Sequence, residues 1–409
     1  MVNKYLGKHA YKSPSFLKSE TSDVRSIVVI PSFNEPDLLK TLCSIEACKS
    51  PKQPVEIIVV FNHAENESDS IKKQNLKYYK EAIEFSKRDD LKFRYLMLEA
   101  FDLPQKVAGV GLARKIGMDE AVFRLGNRSD GLIICLDADC TVASNYLVAI
   151  EQHFEKYKNS PGASVYFEHL LQSTISHLEL GIIQYELHLR YYNQLLKYTR
   201  HPFAFHTVGS CMVVRSGAYQ KQGGMNKRKA GEDFYFLQKI IQLGDFTEIK
   251  NTCVYPSSRV SDRVPFGTGK AQGDWISHHK KQRLTYHPEA GMVLKSLFGI
   301  VTQHGKRLSG LPVKDLPESI INFLGEEQWN IRIAEIDKNT ANDQAFIKRF
   351  FAWFNLFMVM RFVHYYRDNY KGNIPVTEAS SNLYLLLKKQ RITVNALDLL
   401  LEFRSIERI

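Results

Sequence analysis

Four short aliphatic runs punctuate the early part of the chain: SIVVIP (26–31), EIIVVF (56–61), KFRYLML (92–98) and LIICL (132–136). Each is strand-length, and three are almost unbroken in hydrophobicity, the pattern of strands buried on both faces of a parallel sheet. Between them, DLLKTLCSIEAC (37–48), SIKKQNLKYYKEAIEFSKR (70–88) and GLARKIGMDEAVFRL (111–125) repeat apolar residues at helical spacing. Strand and helix in alternation predict an α/β fold with a mostly parallel sheet flanked by helices. Further on, ASVYF (163–167) reads as a strand, residues 170–199 as a largely helical segment rich in Leu, Ile and Tyr, and TVGSCMVVRS (207–216) as a strand or strand pair. AGEDFYFLQKIIQLG (230–244) reads as an amphipathic helix that opens on an acidic pair, and beyond about residue 285 the pattern is mostly helical. The expected organisation is an N-terminal extension (1–23), an α/β domain (24–284) and a helical C-terminal region (285–409), with no internal repeat.

Composition narrows the classes. Apolar residues make up 44% and charged residues 24% of the chain, as in an ordinary globular protein. The net charge of +11 fits an anionic partner. The basic residues are scattered and no RNA- or DNA-binding motif accompanies them, so no nucleic-acid partner is expected. Six cysteines without a CxxC pair argue against a zinc site and for a reducing compartment. The N-terminus lacks an apolar signal core and no run reaches spanning length, which gives a cytoplasmic expectation. FFAWFNLFMVM (350–360), between Arg349 and Arg361, has two readings: a core helix, or a helix lying on a membrane. The second would place the protein peripherally at the inner face of the membrane, touching it through its C-terminal helices, and would suit a lipid-linked or amphiphilic partner molecule.

The candidate chemistry sits at the ends of the predicted elements. In LDADC (136–140), Asp137 and Asp139 follow a strand two residues apart, on one side of it. Carboxylates so close repel unless a cation lies between them. Mg²⁺ or Mn²⁺ suits such hard oxygen ligands, and a solvated loop is the plain alternative. In open α/β sheets ligands bind beyond the carboxyl ends of strands, where both aspartates lie. Glycines and cations meet in GVGLARK (109–115) at a predicted helix start, which suits a diphosphate, with a tight turn before a solvated basic helix as the alternative. The segment 257–283 gathers Arg259, Arg263 and Lys270 around glycines, either as a basic lid over a diphosphate or as a surface loop.

Taken in order, IPSFNEPDLLKTLCSI (30–45), IIVVFN (57–62), GVGLARKIGMDEA (109–121), LDADC, VGSCMVVRSGAYQKQGGM (208–225) and GEDFYFLQKI (231–240) resemble the GT-A glycosyltransferases, family 2 in particular, over residues 24–250. The resemblance implies a GT-A, Rossmann-like sheet with a helical C-terminal extension. It implies transfer of a sugar from a nucleoside diphosphate sugar, of UDP or GDP, to a hydroxyl acceptor, with inversion. The QxxRW signature of processive relatives is absent, so non-processive transfer is expected.

By this resemblance Pro31, Ser32 and Glu35 belong to the nucleotide pocket. Asn62 stands where relatives carry a base-reading aspartate, and unlike ionised Asp it can both donate and accept. Gly109 and Arg114, with Lys106 nearby, are donor contacts, joined by Arg263 and Lys270. Asp139 and Asp137 form the DxD motif that holds Mn²⁺ or Mg²⁺, Asp137 also reaching the donor, and His279 or its neighbour His278 is a further candidate ligand. Asp233 is the expected base, Glu232 its neighbour, and Gly209 and Ser210 line the acceptor. A nucleotidyltransferase on a similar sheet is the rival reading.

Overall fold

The computed structural model describes residues 3–11, 23–172, 175–261, 267–390, 392 and 395–409. In chain order they form α1 (Lys4–His9), β1 (Ser26–Ser32), α2 (Leu38–Glu46), β2 (Val55–Ala64), α3 (Asp69–Ser86), β3 (Arg94–Leu103), α4 (Val110–Leu125), β4 (Leu132–Cys135), β5 (Thr141–Val142), α5 (Tyr146–Lys156) and β6 (Gly162–Phe167). There follow α6 (His177–Tyr198), β7 (Met212–Arg215), α7 (Ser216–Lys221), α8 (Glu232–Ile241), β8 (Thr247–Tyr255), α9 (Thr268–Ser277) and β9 (Leu284–Thr285). The remainder is helical apart from β10 (Ile374–Pro375): α10 (Glu289–His304), α11 (Glu318–Leu324), α12 (Glu326–Lys338), α13 (Asp343–Trp353), α14 (Leu356–Asn369), α15 (Val376–Lys388) and α16 (Ala396–Arg408). The chain divides into two compact units, the first comprising Met1–Leu171, His206–Gly273 and Arg408–Ile409, the second Gln172–Phe205 and Asp274–Glu407.

The first unit is built on an eight-stranded sheet in the order β3-β2-β1-β4-β7-β6-β8-β5. β1 pairs parallel with β2 and β4, and β2 with β3. Every residue of β1 and β4 is buried, which is why their sequences read as unbroken apolar runs. β7 runs antiparallel to both β4 and β6. The turn that enters β7 therefore lies at the same end of the sheet as the loop that leaves β4. This α/β sheet, with its helical C-terminal part, is the fold class expected from the sequence.

Several elements differ from their sequence reading, among them α9, which makes Thr268–Ser277 of the expected lid or surface loop helical. Residues 207–211 form a loop and a 3-10 turn rather than strand, leaving β7 only four residues. β8 was not visible in the sequence because TEIKNTCVY mixes polar and apolar residues without a clean period. The helix α4 also departs from expectation. It is buried on nearly all sides rather than amphipathic, because its charges are paired internally: Lys115 with Asp119 at 3.1 Å, and Arg124 with Glu56 at 2.6 Å. Buried ions persist when paired in this way.

Residues 3–11 dock on α4. Tyr5 and Tyr219 both donate to Asp119 Oδ1, at 2.7 and 2.8 Å, and the Tyr11 backbone N–H donates to Oδ2 at 3.1 Å.

The second unit is helical. The run 350–360 is its core: Phe350, Phe351, Phe354, Leu356 and Val359 are all buried, and Trp329 and Phe298 pack against the same rings. It is not one helix. Asn355 accepts from the N–H groups of Phe357 and Met358, so it caps α14 and separates it from α13. Among the described residues no helix is long and apolar enough to cross a membrane.

Candidate active site

β4 ends at Cys135, and the chain turns at once, the Cys140 N–H closing on the Asp137 carbonyl at 3.1 Å. Thr41 of α2 ties the turn down by donating to the Ala138 carbonyl at 2.8 Å. Ala138 and Cys140 are buried while Asp137 and Asp139 are partly exposed, so both carboxylates emerge on the accessible side.

Arg114 organises what faces this turn. Its guanidinium is almost fully buried; one amino group donates to Asp137 Oδ1 at 2.5 Å and the other to Glu232 Oε1. Gly209 sits directly against it. A Cβ at position 209 would lie 2.8 Å from both terminal nitrogens, so any larger residue would make the arginine or the turn before β7 shift. Gly209 in turn donates its N–H to Asp233 Oδ2 at 2.9 Å, and the Phe234 N–H holds Oδ1 at 2.7 Å. Asp137, Arg114, Gly209, Glu232 and Asp233 are thus one connected group, assembled from β4, α4, the turn before β7 and the start of α8. Ser210, buried beside Gly209, makes its contact with Cys211 Sγ at 3.5 Å.

The electrostatics follow from one cation among three carboxylates. Burial opposes the charge on Arg114, but Asp137 and Glu232 outweigh it and hold its pKa above the ordinary value. Glu232 is pushed up to about 7, chiefly by burial and partly by Asp233, against the pull of Arg114. Asp233 is raised for the same first reason, with Arg114 and the two backbone donors opposing. Their titrations belong to the pair rather than to either residue. A carboxylate whose pKa is raised toward neutrality is a better proton acceptor than a solvated one.

A second group lies at the end of β1. Asn62, 3% exposed, spends its amide N–H on the Ser32 carbonyl at 2.9 Å. Asn75 of α3 donates to the Asn62 carbonyl at 3.2 Å and accepts from the Asn34 N–H at 3.0 Å. The Ser32 hydroxyl is buried and has no hydrogen-bond partner among the described residues. Pro31 is the next-to-last residue of β1. Glu35, 2% exposed, accepts from Arg259, whose other amino group reaches Asp37 at 3.0 Å. The segment after β8 is thereby fastened to the loop after β1.

The other expected residues are placed as follows. Gly109 caps α4, and the first turn of that helix packs on the loop before α8: a Cβ at Gly111 would lie 2.2 Å from the Arg228 carbonyl. That burial removes the reading of α4 as a solvated basic helix. Lys106 is exposed, and Lys270 lies on α9 in the first unit. Arg263 lies outside the described residues. His279 is exposed, has a positive φ of 45° and belongs to the second unit. Among the described residues no three His, Cys, Asp or Glu side chains converge as a metal cluster.

Sequence reasoning passed over Asn75 and the Arg259 pairing. Asn75 carried a signal: it stands seven residues before buried Ala82, on the apolar face of α3 where an aliphatic residue is due.

Residues 27–223 match the family model described as Glycosyl transferase family 2. The match runs from β1 to just past α7 and includes the Asp137–Asp139 turn, Arg114 and Gly209; α8 lies beyond it. No curated protein sequence matches the chain. Among solved structures, the chain is similar to residues 1–349 of S. aureus TarS in complex with UDP-GlcNAc, at 12% identity and a TM-score of 0.41, covering 77% of this chain and 90% of that one. The corresponding complex with UDP gives 10% identity and a TM-score of 0.40 over the same shares. A longer TarS structure gives 12% and 0.38, covering 80% of this chain and 55% of that one.

Proposed function

On the premise that residues 27–223 are a glycosyltransferase family 2 domain, which makes this chain a glycosyltransferase acting from a nucleotide sugar, we propose that it carries a UDP- or GDP-linked sugar to an acceptor hydroxyl, with Asp233 as the base, inversion at the anomeric carbon and one transfer per encounter. The observation that carries the proposal is the Arg114 bridge. It joins Asp137, in the DxD turn, to Glu232 and, through Gly209, to Asp233 at the head of α8.

Donor and acceptor ends of the reaction have separate groups. Ser32, with its hydroxyl unpartnered among the described residues, Glu35, Pro31 and Asn62 form the nucleotide end. Asn62 retains its Oδ1 as an acceptor beyond the amide bond to Ser32. Gly109, Lys270 and Arg263 stand for the diphosphate, and Gly209 and Ser210 for the acceptor wall.

A divalent ion fits the residues of the turn. Asp137 and Asp139 are hard oxygen donors on the accessible side of a buried turn. Two such side chains suffice for Mg²⁺, which is held by one or two carboxylates plus substrate phosphates. Mn²⁺ or Mg²⁺ bound there would neutralise charge on the departing diphosphate. No observation ties His279, which belongs to the second unit, to that ion.

The chain's own part is positional and acid–base. Both oxygens of Asp233 are fixed by backbone N–H groups, which leaves each a lone pair for the acceptor proton. Glu232 is committed to Arg114 and keeps that cation in place. The acceptor oxygen, deprotonated as it attacks, forms the new bond at the anomeric carbon while the bond to the diphosphate breaks on the opposite face.

The test is release of nucleoside diphosphate from a panel of UDP- and GDP-sugars, with water standing in for the acceptor. Asp233→Asn should lower kcat by about 10²–10⁴-fold, the usual contribution of a general base, and leave the donor KM unchanged. An Asp233→Asn enzyme as fast as wild type would overturn the assignment.

A further inference from the structure

The second unit carries a surface that the transfer chemistry does not use. Its two strips are the start of α6 and the chain from the end of α9 to β9. They are stitched together: the Trp275 indole N–H donates to the His177 carbonyl at 2.9 Å, the His177 ring meets the Lys280 carbonyl at 2.9 Å, and the Arg283 N–H donates to Gln184 at 2.7 Å. His177 also stacks on Trp275, with ring centroids 5.3 Å apart.

What these strips expose is unusual in kind. Ile175 (52%), Leu178 (38%), Ile276 (41%) and Leu284 (52%) are large aliphatic side chains turned to solvent. Between them Ser277, His278, His279, Lys280, Lys281 and Gln282 are exposed as well. No carboxylate is exposed within Ile175–Leu178 or Ile276–Leu284, and the adjacent Glu179 is buried, its carboxylate accepting from the Gln172 N–H at 2.7 Å. Single exposed aliphatics are ordinary, whereas a group of them beside cations marks an interaction site.

We propose that this surface docks on an anionic lipid bilayer, Ile175, Leu178, Ile276 and Leu284 entering the headgroup boundary and Lys280 and Lys281 meeting lipid phosphates. Charge complementarity selects an anionic partner. The four aliphatics select among anions, because a soluble polyanion offers them no apolar phase and a bilayer does. The contact is distinct from the run 350–360, which is spent in the core of the same unit.

The experiment is co-sedimentation of the full chain with phosphatidylcholine vesicles, with and without 30% phosphatidylglycerol. Binding is expected to the anionic vesicles and to be at least about 25-fold weaker to the neutral ones, which lack the net negative charge the two lysines meet. Each lysine near an anionic surface is worth about 5-fold in binding, so Lys280→Ala with Lys281→Ala should weaken it by about 25-fold. Ile276→Ser with Leu284→Ser should weaken it comparably while leaving the melting temperature and the rate of donor hydrolysis unchanged. No binding to anionic vesicles would overturn the proposal. So would binding that the serine variants leave intact, or that soluble polyphosphate abolishes while those variants bind polyphosphate as wild type does; either result would assign the lysines to a polyanion instead.

Discussion

Gly209→Ala isolates the contact on which the active-site geometry depends. Gly209 lies in a right-handed 3-10 turn that any residue can adopt, so the added methyl group brings no backbone strain. It meets the guanidinium of Arg114 at 2.8 Å. A comfortable carbon contact needs about 3.5 Å, so the arginine must retreat by roughly 0.7 Å or push the turn away. Overpacking of this size costs about 1–3 kcal/mol. In a unit of this length that lowers Tm by about 2–12 °C. Either displacement also disturbs the groups that position Asp233, and a misplacement near 1 Å can cost about 10²-fold in rate. Circular-dichroism melts and donor-hydrolysis rates on Gly209→Ala, Arg114→Lys and the double variant would read both effects. Because the two substitutions act through one contact, their effects should fail to add by about 0.5–3 kcal/mol. Simple additivity, or a Gly209→Ala protein within 1 °C and twofold of wild type, would refute the argument.

Three further outcomes follow from the same structure. Arg114→Met removes the cation from between Asp137 and Glu232 and should cost about 3–5 kcal/mol. The raised carboxyls of Glu232 and Asp233 hold protons in the native state that the unfolded chain has lost, so their contribution to stability falls as pH rises from about 4.5 through about 7. Without the cation that fall deepens, so thermal melts should show a larger deficit for the variant at pH 8 than at pH 5, and an equal deficit would contradict the account. Asn62→Asp would set a carboxylate against the Ser32 carbonyl in a buried position and should lower stability by about 1–3 kcal/mol in urea titrations; an unchanged midpoint would show that the amide bond matters little. Tyr5→Phe deletes a hydrogen bond to buried Asp119 and should cost about 1.5–3 kcal/mol, measured the same way, and a smaller loss would mean that α1 docks through its apolar face alone.

The positions of β1, β2 and β4 were legible because strands covered on both faces must be apolar throughout. The Asp137–Asp139 turn was legible for a related reason, since carboxylates cannot continue such a run and so mark its end. Arg114 was harder. Nothing in GVGLARK distinguishes a guanidinium that meets solvent from one buried among Asp137 and Glu232, because its partners lie 23 and 118 residues away. The same holds for Arg259, whose partners Glu35 and Asp37 are at the far end of the unit in sequence. Pairing of α4's charges with buried partners, Asp119 on the same helix and Glu56 on β2, also inverted the usual inference from polarity to exposure. In FFAWFNLFMVM the aromatic content suited a core helix and a membrane helix, and packing against Phe298 and Trp329 distinguished the first.

The most direct test is calorimetric titration of UDP and of GDP into wild type and Asp139→Ala, each with and without Mn²⁺. The account predicts that one nucleotide binds wild type in an Mn²⁺-dependent way and that a folded Asp139→Ala protein loses this binding. A folded wild-type protein that binds neither nucleotide, or an Asp139→Ala variant that binds as wild type does, would contradict it.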